Sequence, residues 1–352
     1  MSDAEDRTVD AHTLTRQLRV RHPDVEVAAV QVLTEHEGSA SRLRLALQYA
    51  QGKDAGLPPT MFLKRNLAAF NFPGEMYSTE VGIYRDVLDG VDIERPAVYA
   101  IETGADDLHF TILMEDLGER PGARLGIVTQ PTTIDEVAGL LDTIATLHAT
   151  FWASPRLDTE LTWLQPPLQN TSMAFWRQHG PRLARRHMEK GHRAALVDRA
   201  VWTDDRLWNG FDRFLVDLDS GPHTLLHGDV HAGNVYYVNG TGGGLIDWQL
   251  ALRGNWGVDV TYLLTTALDP VQQAAHEADL LRHYLDRLAA HGVTPPDFDT
   301  AWLTYRRHVI YGVAMWLITP DGVHTDEAQL GYLARCLEAA DRLGTLEALG
   351  QG

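Results

Sequence analysis

Apolar residues in this chain repeat with two different periods, and the change falls near residue 118. Before it the period is two. Arg42-Leu-Arg-Leu-Ala-Leu-Gln-Tyr49 alternates strictly, as a strand with one covered face must. Val25–Leu33 is rich in β-branched residues, and Thr60–Arg65 is bounded by Gly56 and the Pro58-Pro59 pair. With Pro96–Ile101 and His109–Met114 these segments predict a five-stranded antiparallel sheet. A helix over Glu75–Leu88 interrupts the strands, a short helix over 11–21 precedes them, and residues 1–10 read as a disordered N-terminus. After Gly118 the period is helical. Ile134–Trp152 opens on Thr132 or Thr133 as N-cap, and helices are predicted over 172–190, 204–218, 257–268, 271–291, 298–318 and 326–346. The pattern predicts an α+β fold, with a small sheet lobe over 11–117 and a larger, mostly helical lobe over 118–352.

Between the helical segments lies a different kind of stretch. Leu225-Leu-His-Gly-Asp-Val-His-Ala-Gly-Asn-Val235 runs from a short strand into a polar loop, and Gly244-Leu-Ile246 then delivers Asp247. Asp229, Asn234 five residues on and Asp247 after a hairpin are the three parts that kinase-type phosphoryl transfer requires. A carboxylate orients the attacking hydroxyl and takes its proton; an amide and a second carboxylate hold magnesium against the ATP phosphates. Singly, each has a plainer reading: Gly-Asp and Gly-Asn are turn pairs, and Asp247 can cap a strand end. His227 and His231 read as scaffold that hydrogen-bonds the main chain around the loop. Asp259, at the start of a predicted helix, reads either as an N-cap or as a brace for the loop.

Composition changes the weight of one residue in the first lobe. Of 30 basic residues only Lys53, Lys64 and Lys190 are lysine. Where arginine is the default cation, a lysine in a strand flanked by apolar residues points to a compact point charge. Lys64 fits the lysine that contacts the α and β phosphates, with Glu80 as its helix partner and Glu75 as a second candidate. The plainer alternative is a solvent-facing lysine on an edge strand. The phosphate-covering loop is expected between the first two strands, at Glu37-Gly-Ser-Ala-Ser41, where Ser39 is the candidate phosphate contact. Leu113-Met-Glu-Asp-Leu117 closes the sheet, and the main chain at Glu115 and Leu117 is the candidate partner for the adenine edge.

Charge and length exclude other classes. The net charge of −18 leaves no basic surface to neutralise nucleic-acid phosphates or to hold an anionic membrane. From Leu117 onward 28 acidic and 19 basic residues give −9, so the other −9 lies in the shorter first third and the acidity is spread out. Cys336 is the sole cysteine, which excludes an intrachain disulfide. The polar N-terminus has no signal-peptide core, and no apolar run is long enough for a bilayer. The expectation is a soluble, cytoplasmic protein.

His227-Gly-Asp-Val-His-Ala-Gly-Asn234 with Ile246-Asp-Trp248 resembles the aminoglycoside phosphotransferase and choline kinase superfamily. Leu147-His-Ala-Thr-Phe-Trp152, Met114-Glu-Asp-Leu117, Gly257-Val-Asp259 and Tyr262-Leu-Leu264 extend the likeness, which is nearest the ecdysteroid-kinase-like branch and covers about residues 25–270. The resemblance implies a protein-kinase-like bilobal fold and phosphorylation of a hydroxyl on a small molecule, whether aminoglycoside-, amino sugar-, choline- or sterol-like. It implies Asp229 as base, Asn234 and Asp247 as magnesium ligands, and Lys64 with Glu80 on the nucleotide. The His-Arg-Asp and Ala-Pro-Glu signatures of protein kinases are missing from the sequence, which speaks against a protein substrate. Trp248, Trp256, Trp302, Tyr305 and Trp316 are candidates for stacking on a substrate, against a plainer role in the helical core.

Two other classes fit parts of the pattern. Gly228-Asp-Val-His231 is also how dinuclear metallophosphatases begin, but no Gly-Asp or Gly-Asn-His block follows to supply their remaining ligands. A non-catalytic nucleotide-binding protein of the same fold would not need the full set of Lys64, Asp229, Asn234 and Asp247.

Overall fold

The computed structural model describes residues 9–36, 40–52, 56–66, 75–104, 109–130 and 132–351. The chain divides into two compact units, Met1–Arg85 with Pro96–Pro121, and Asp86–Arg95 with Gly122–Gly352. Most of the predicted disordered N-terminus, and Glu37, Gly38 and Ser39 of the predicted glycine loop, lie outside the described residues, while Ser41 opens a strand.

The first unit is a five-stranded sheet of β1 (Glu26–His36), β2 (Ser41–Gln51), β3 (Thr60–Arg65), β4 (Val98–Thr103) and β5 (Phe110–Glu115). Every pairing is antiparallel and the order is β1-β2-β3-β5-β4. Helix α1 (Ala11–Leu18) starts at Asp10, whose Oδ1 accepts the Thr13 N–H at 2.7 Å. Its Leu14 and Leu18 bury against Val27, Leu43, Leu45, Leu47, Met61, Leu63 and Leu113. These are alternate strand positions, so the residues between them on β2 and β3, Arg42, Arg44, Phe62 and Lys64, belong to the other face. Helix α2 (Glu75–Gly82) does not run to Leu88 as its periodicity predicts. It widens into a π turn over Ile83–Val87 and a 3-10 turn over Leu88–Gly90. The change comes at Gly82, the poorest helix former of the run, where a wider turn costs least.

The second unit is built on helices. They are α3 (Ile134–Phe151), α4 (Arg156–Thr159), α5 (Thr171–Glu189), α6 (Asp204–Leu218), α7 (Gly257–Ala267), α8 (Pro270–Ala290), α9 (Phe298–Ile318), α10 (Asp326–Leu343) and α11 (Thr345–Ala348). Thr133 caps α3 in a capping box: its hydroxyl accepts the Glu136 N–H while Glu136 Oε2 accepts the Thr133 N–H. Thr132 instead hydrogen-bonds Tyr237. Every residue of α7 is buried, with α3, α8, α9 and α10 packed around it. Short strands complete the unit. β6 (Ala123–Leu125), β8 (Val235–Val238) and β9 (Gly242–Leu245) form one sheet, and β7 (Thr224–Leu226) pairs with β10 (Leu252–Gly254).

Candidate active site

In the first unit Lys64 lies on β3, in the middle of the sheet between Arg42 on β2 and Ile112 on β5. The edge-strand reading therefore fails. Its ammonium is buried and lies 2.8 Å and 2.7 Å from the two oxygens of Glu80, which is itself 0% exposed. Glu75, the other candidate partner, faces solvent. A buried ion pair of this kind is stable only while both partners are present. At the end of β5, Glu115 is tied to β4: its N–H donates to the Ala97 carbonyl at 2.8 Å and its Oε2 accepts the Ala97 N–H at 3.2 Å. Leu117 is half-buried and its carbonyl accepts the Arg120 N–H. Between them Asp116 is buried and pairs with Arg44 on β2 at 2.7 Å.

In the second unit β7 leads into the Asp229 loop. Gly228 has φ +77°, and a Cβ there would stand 2.1 Å from the Leu250 carbonyl oxygen, so only glycine fits. Its N–H donates to Asp259 Oδ1 at 2.9 Å, the neighbouring His227 N–H donates to Asp259 Oδ2 at 2.8 Å, and the Tyr311 hydroxyl donates to the Gly228 carbonyl at 2.7 Å. Asp259, 1% exposed on α7, thus holds the loop rather than capping its own helix. His227 ties the loop to the end of the hairpin. Its Nδ1 accepts the Asp229 N–H at 3.2 Å and its Nε2 donates to the Ile246 carbonyl at 3.0 Å.

Asn234 donates its side-chain N–H groups to the Asp229 carbonyl at 3.0 Å and to Asp229 Oδ2 at 2.9 Å. The Ile246 N–H donates to the Asn234 carbonyl at 2.9 Å, and Val235 pairs with Leu245. Register therefore brings Asp247 alongside Asn234. Asp247 has φ +66°, a left-handed conformation that costs a non-glycine residue energy and is held where a side chain must be aimed. Asn234 spends its amide hydrogens on Asp229, and its side-chain oxygen is the atom of the group that can ligate a cation. With the Asp247 carboxylate this is a hard, oxygen-only pair, a set that suits magnesium completed by phosphate oxygens and water. Among the described residues no group of three or more His, Cys, Asp or Glu side chains is placed to hold a metal by itself.

His231 is buried beneath the loop. Its Nδ1 accepts the Gly233 N–H at 2.9 Å and its Nε2 lies 3.8 Å from Asp229 Oδ2. Rings of Tyr262, Trp316, His324 and Tyr332 surround it, with centroids at 5.2–5.8 Å. Burial, and then the neighbouring His324, hold its pKa well below the usual histidine value, so it is neutral. Burial, and then the charge of Asp229, keep the Tyr262 and Tyr311 hydroxyls protonated. Asp229 itself is 22% exposed, which leaves it open to a ligand. Of the stacking candidates, Trp248, Trp256, Tyr305 and Trp316 are buried, and half-buried Trp302 stacks on Phe298. The core reading holds for them. Periodicity did not pick out Tyr311, Thr266, which accepts the Ala232 N–H, or His148, whose Nε2 lies 3.2 Å from Asp259. Only the Leu147–Trp152 motif gave a sign of the last.

The model of the phosphotransferase enzyme family matches residues 2–296. The chain belongs to that family. It is a small-molecule kinase, and its fold is the protein-kinase-like one, with a small antiparallel-sheet lobe and a larger, mostly helical lobe. A spectinomycin phosphotransferase in complex with ADP and spectinomycin is similar over 97% of this chain and 100% of its own, at 15% identity and TM-score 0.53. An ethanolamine kinase of Plasmodium vivax is similar over 93% and 83%, at 10% identity and TM-score 0.53. A macrolide 2'-phosphotransferase of Brachybacterium faecium covers 87% and 90%, at 15% identity and TM-score 0.51. No curated protein matches the sequence. The placement of this phosphotransferase in the ecdysteroid-kinase-like branch rests on its sequence motifs alone. Among the described residues no helix is long and apolar enough to cross a membrane.

Proposed function

We propose that this phosphotransferase moves the γ-phosphoryl group of ATP to a hydroxyl of a small molecule in the cytoplasm, with magnesium as cofactor. The carrying observation is the Asp229 loop. An open carboxylate is bonded to Asn234, and register sets a strained Asp247 beside that asparagine. Asp229 accepts a hydrogen bond from the acceptor hydroxyl and takes its proton as the new P–O bond forms. Asn234 and Asp247 would hold magnesium, which would offset negative charge on the ATP phosphates. Lys64, fixed by Glu80, contacts the α and β phosphates, and the main chain at Glu115 and Leu117 receives the adenine edge. Ser39 is proposed for the phosphates on sequence grounds. His227, His231 and Asp259 hold the loop in shape. ADP in the spectinomycin phosphotransferase supports nucleotide use.

The proposed acceptor is a small-molecule alcohol, aminoglycoside-, amino sugar-, choline- or sterol-like. A test is ATP consumption with kanamycin, glucosamine, choline, ethanolamine and a sterol as acceptors, beside a thermal shift with magnesium-ATP. Turnover of at least one acceptor, together with a magnesium-dependent shift, is expected. No turnover and no shift would overturn the reading.

A further inference from the structure

We propose that Arg44 is a positioning residue for the nucleobase, and that by gripping both ends of the turn Asp116–Glu119 it makes this kinase prefer adenine to guanine. The inference rests on the reading of the main chain at Glu115 and Leu117 as the seat of the base, and it adds a choice of base that this reading leaves open. Arg44 stands on β2 opposite Phe62 of β3, on the sheet face that also carries Lys64. Its Nε donates to Asp116 Oδ2 at 2.7 Å and its Nη2 donates to Glu119 Oε1 at 2.6 Å. These two carboxylates belong to the first and last residues of one turn, closed by the Glu119 N–H on the Asp116 carbonyl at 3.0 Å. Asp116 is buried, and its other oxygen, Oδ1, accepts the Gly118 N–H at 3.1 Å. A Cβ on Gly118 would stand 3.1 Å from that oxygen and 3.8 Å from Arg44 Cζ, so the guanidinium is packed against the turn.

These bonds leave a definite pattern for a base. Of the three N–H groups that follow Asp116 in the turn, that of Gly118 goes to Asp116 Oδ1 and that of Glu119 to the Asp116 carbonyl, while that of Leu117 has no acceptor among the described residues. Glu115 has spent its N–H on the Ala97 carbonyl, so toward a base its main chain can only accept. An acceptor at Glu115 and a donor at Leu117 answer adenine, whose N6 donates and whose N1 accepts. Guanine presents the reverse pair, an O6 that accepts and an N1 that donates. To use Leu117, guanine must slide until O6 meets that N–H, and the turn must give way. A turn closed by its main-chain bond alone could follow such a slide. This one is also held by a planar, charged fork on two carboxylates, which fixes where the Leu117 N–H stands. Guanine then sets a donor against a donor, a mismatch worth roughly 10- to 100-fold in affinity.

The test is calorimetric binding of magnesium-ADP and magnesium-GDP, so that no acceptor need be known. The wild-type protein should bind ADP roughly 10- to 100-fold more tightly than GDP. Arg44→Ala should weaken ADP binding by about tenfold and GDP binding by less, so that the ratio of the two affinities falls by roughly three- to tenfold. Arg44→Lys keeps the charge but cannot fork onto both carboxylates. It should lose most of the same ratio while still unfolding cooperatively, and it decides the matter if Arg44→Ala does not fold. Amide exchange at Gly118 should quicken in both variants, because Asp116 is no longer held. A wild-type protein that binds GDP as tightly as ADP, or a ratio unchanged in folded Arg44 variants, would overturn the proposal. Equal weakening of both nucleotides leaves that ratio unchanged and would make Arg44 a support of the fold only. Binding of ADP without any phosphate transfer would fault the phosphotransferase reading, and the ratio would still decide this one. A protein that binds neither nucleotide would overturn both.

Discussion

Lys64 and Asp229 are held by opposite means. Lys64 sits in a ladder, with Arg42 on one side and Ile112 on the other, so its main chain is satisfied by other main chain and its side chain has Glu80 as ion-pair partner. Asp229 sits in a loop whose main-chain groups are satisfied by side chains. Asp259 takes two N–H groups, His227 takes one, Thr266 takes another, and Tyr311 supplies a donor to Gly228. A strand carries a functional side chain on a backbone that is already complete. A loop can aim one more freely, but polar residues from distant parts of the chain must then complete its backbone.

The largest effect should come from removing what the loop is proposed to hold. Chelating magnesium should abolish phosphate transfer while leaving the melting temperature of the free protein unchanged, since Asp259, His227 and Tyr311 already hold the loop. In the sheet unit Lys64→Met strands a buried carboxylate, and stability should fall by about 3–5 kcal/mol. Adding Glu80→Leu should restore most of that stability in urea unfolding without restoring nucleotide affinity. If the double variant stays as unstable as the single one, the simple account of Lys64 is wrong. In the helical unit Asp259→Ala leaves two buried N–H groups without an acceptor. It should cost about 2–4 kcal/mol, and no compensating apolar change at one other side chain should repair it, because the unsatisfied groups are main chain.

Smaller effects should separate scaffold from site. Thr133→Ala removes the capping box of α3 and should cost about 1 kcal/mol, read by thermal unfolding, with turnover unchanged. A still smaller effect is expected with pH. Burial, and then the charge of Arg193 against the Leu317 carbonyl bond, leave the His187 pKa below its usual value. The unfolded chain therefore binds a proton at this site at higher pH than the folded protein does. This contribution is complete above about pH 6.5 and is lost as pH falls below it toward the lowered folded value. His187→Gln should flatten that part of the stability profile.

Local pattern made much of this molecule legible. The helices after residue 118 follow the 3.6-residue repeat, and α3, α5, α6, α8, α9 and α10 start at Thr133, Asn170, Thr203, Asp269, Asp297 and Thr325, residue types whose side chains cap the first turn. The five strands of the first unit follow from alternation and turn residues. β6 and β10 were missed because three residues are too few for a period. The π turn at Ile83–Val87 was missed because its apolar spacing is close to helical. In the site, Asp229, Asn234 and Asp247 lie within one loop and hairpin, so spacing carries them. The loop's supports do not lie there. His148 and Asp259 are 111 residues apart and His148 and Tyr284 are 136 apart, separations at which periodicity says nothing. Asp259 could be read two ways from sequence because a first-turn aspartate suits a cap as well as a brace, and only the partners of its oxygens choose between them.

The most direct test of the whole account is phosphate transfer from magnesium-ATP by the wild-type protein and by Asp229→Asn, measured beside magnesium-ADP binding by both. Asp229→Asn keeps the shape of the side chain and removes its basicity. The account predicts a fall in kcat of roughly 10²–10⁴-fold with ADP affinity unchanged. An Asp229→Asn variant that transfers phosphate at the wild-type rate would contradict it.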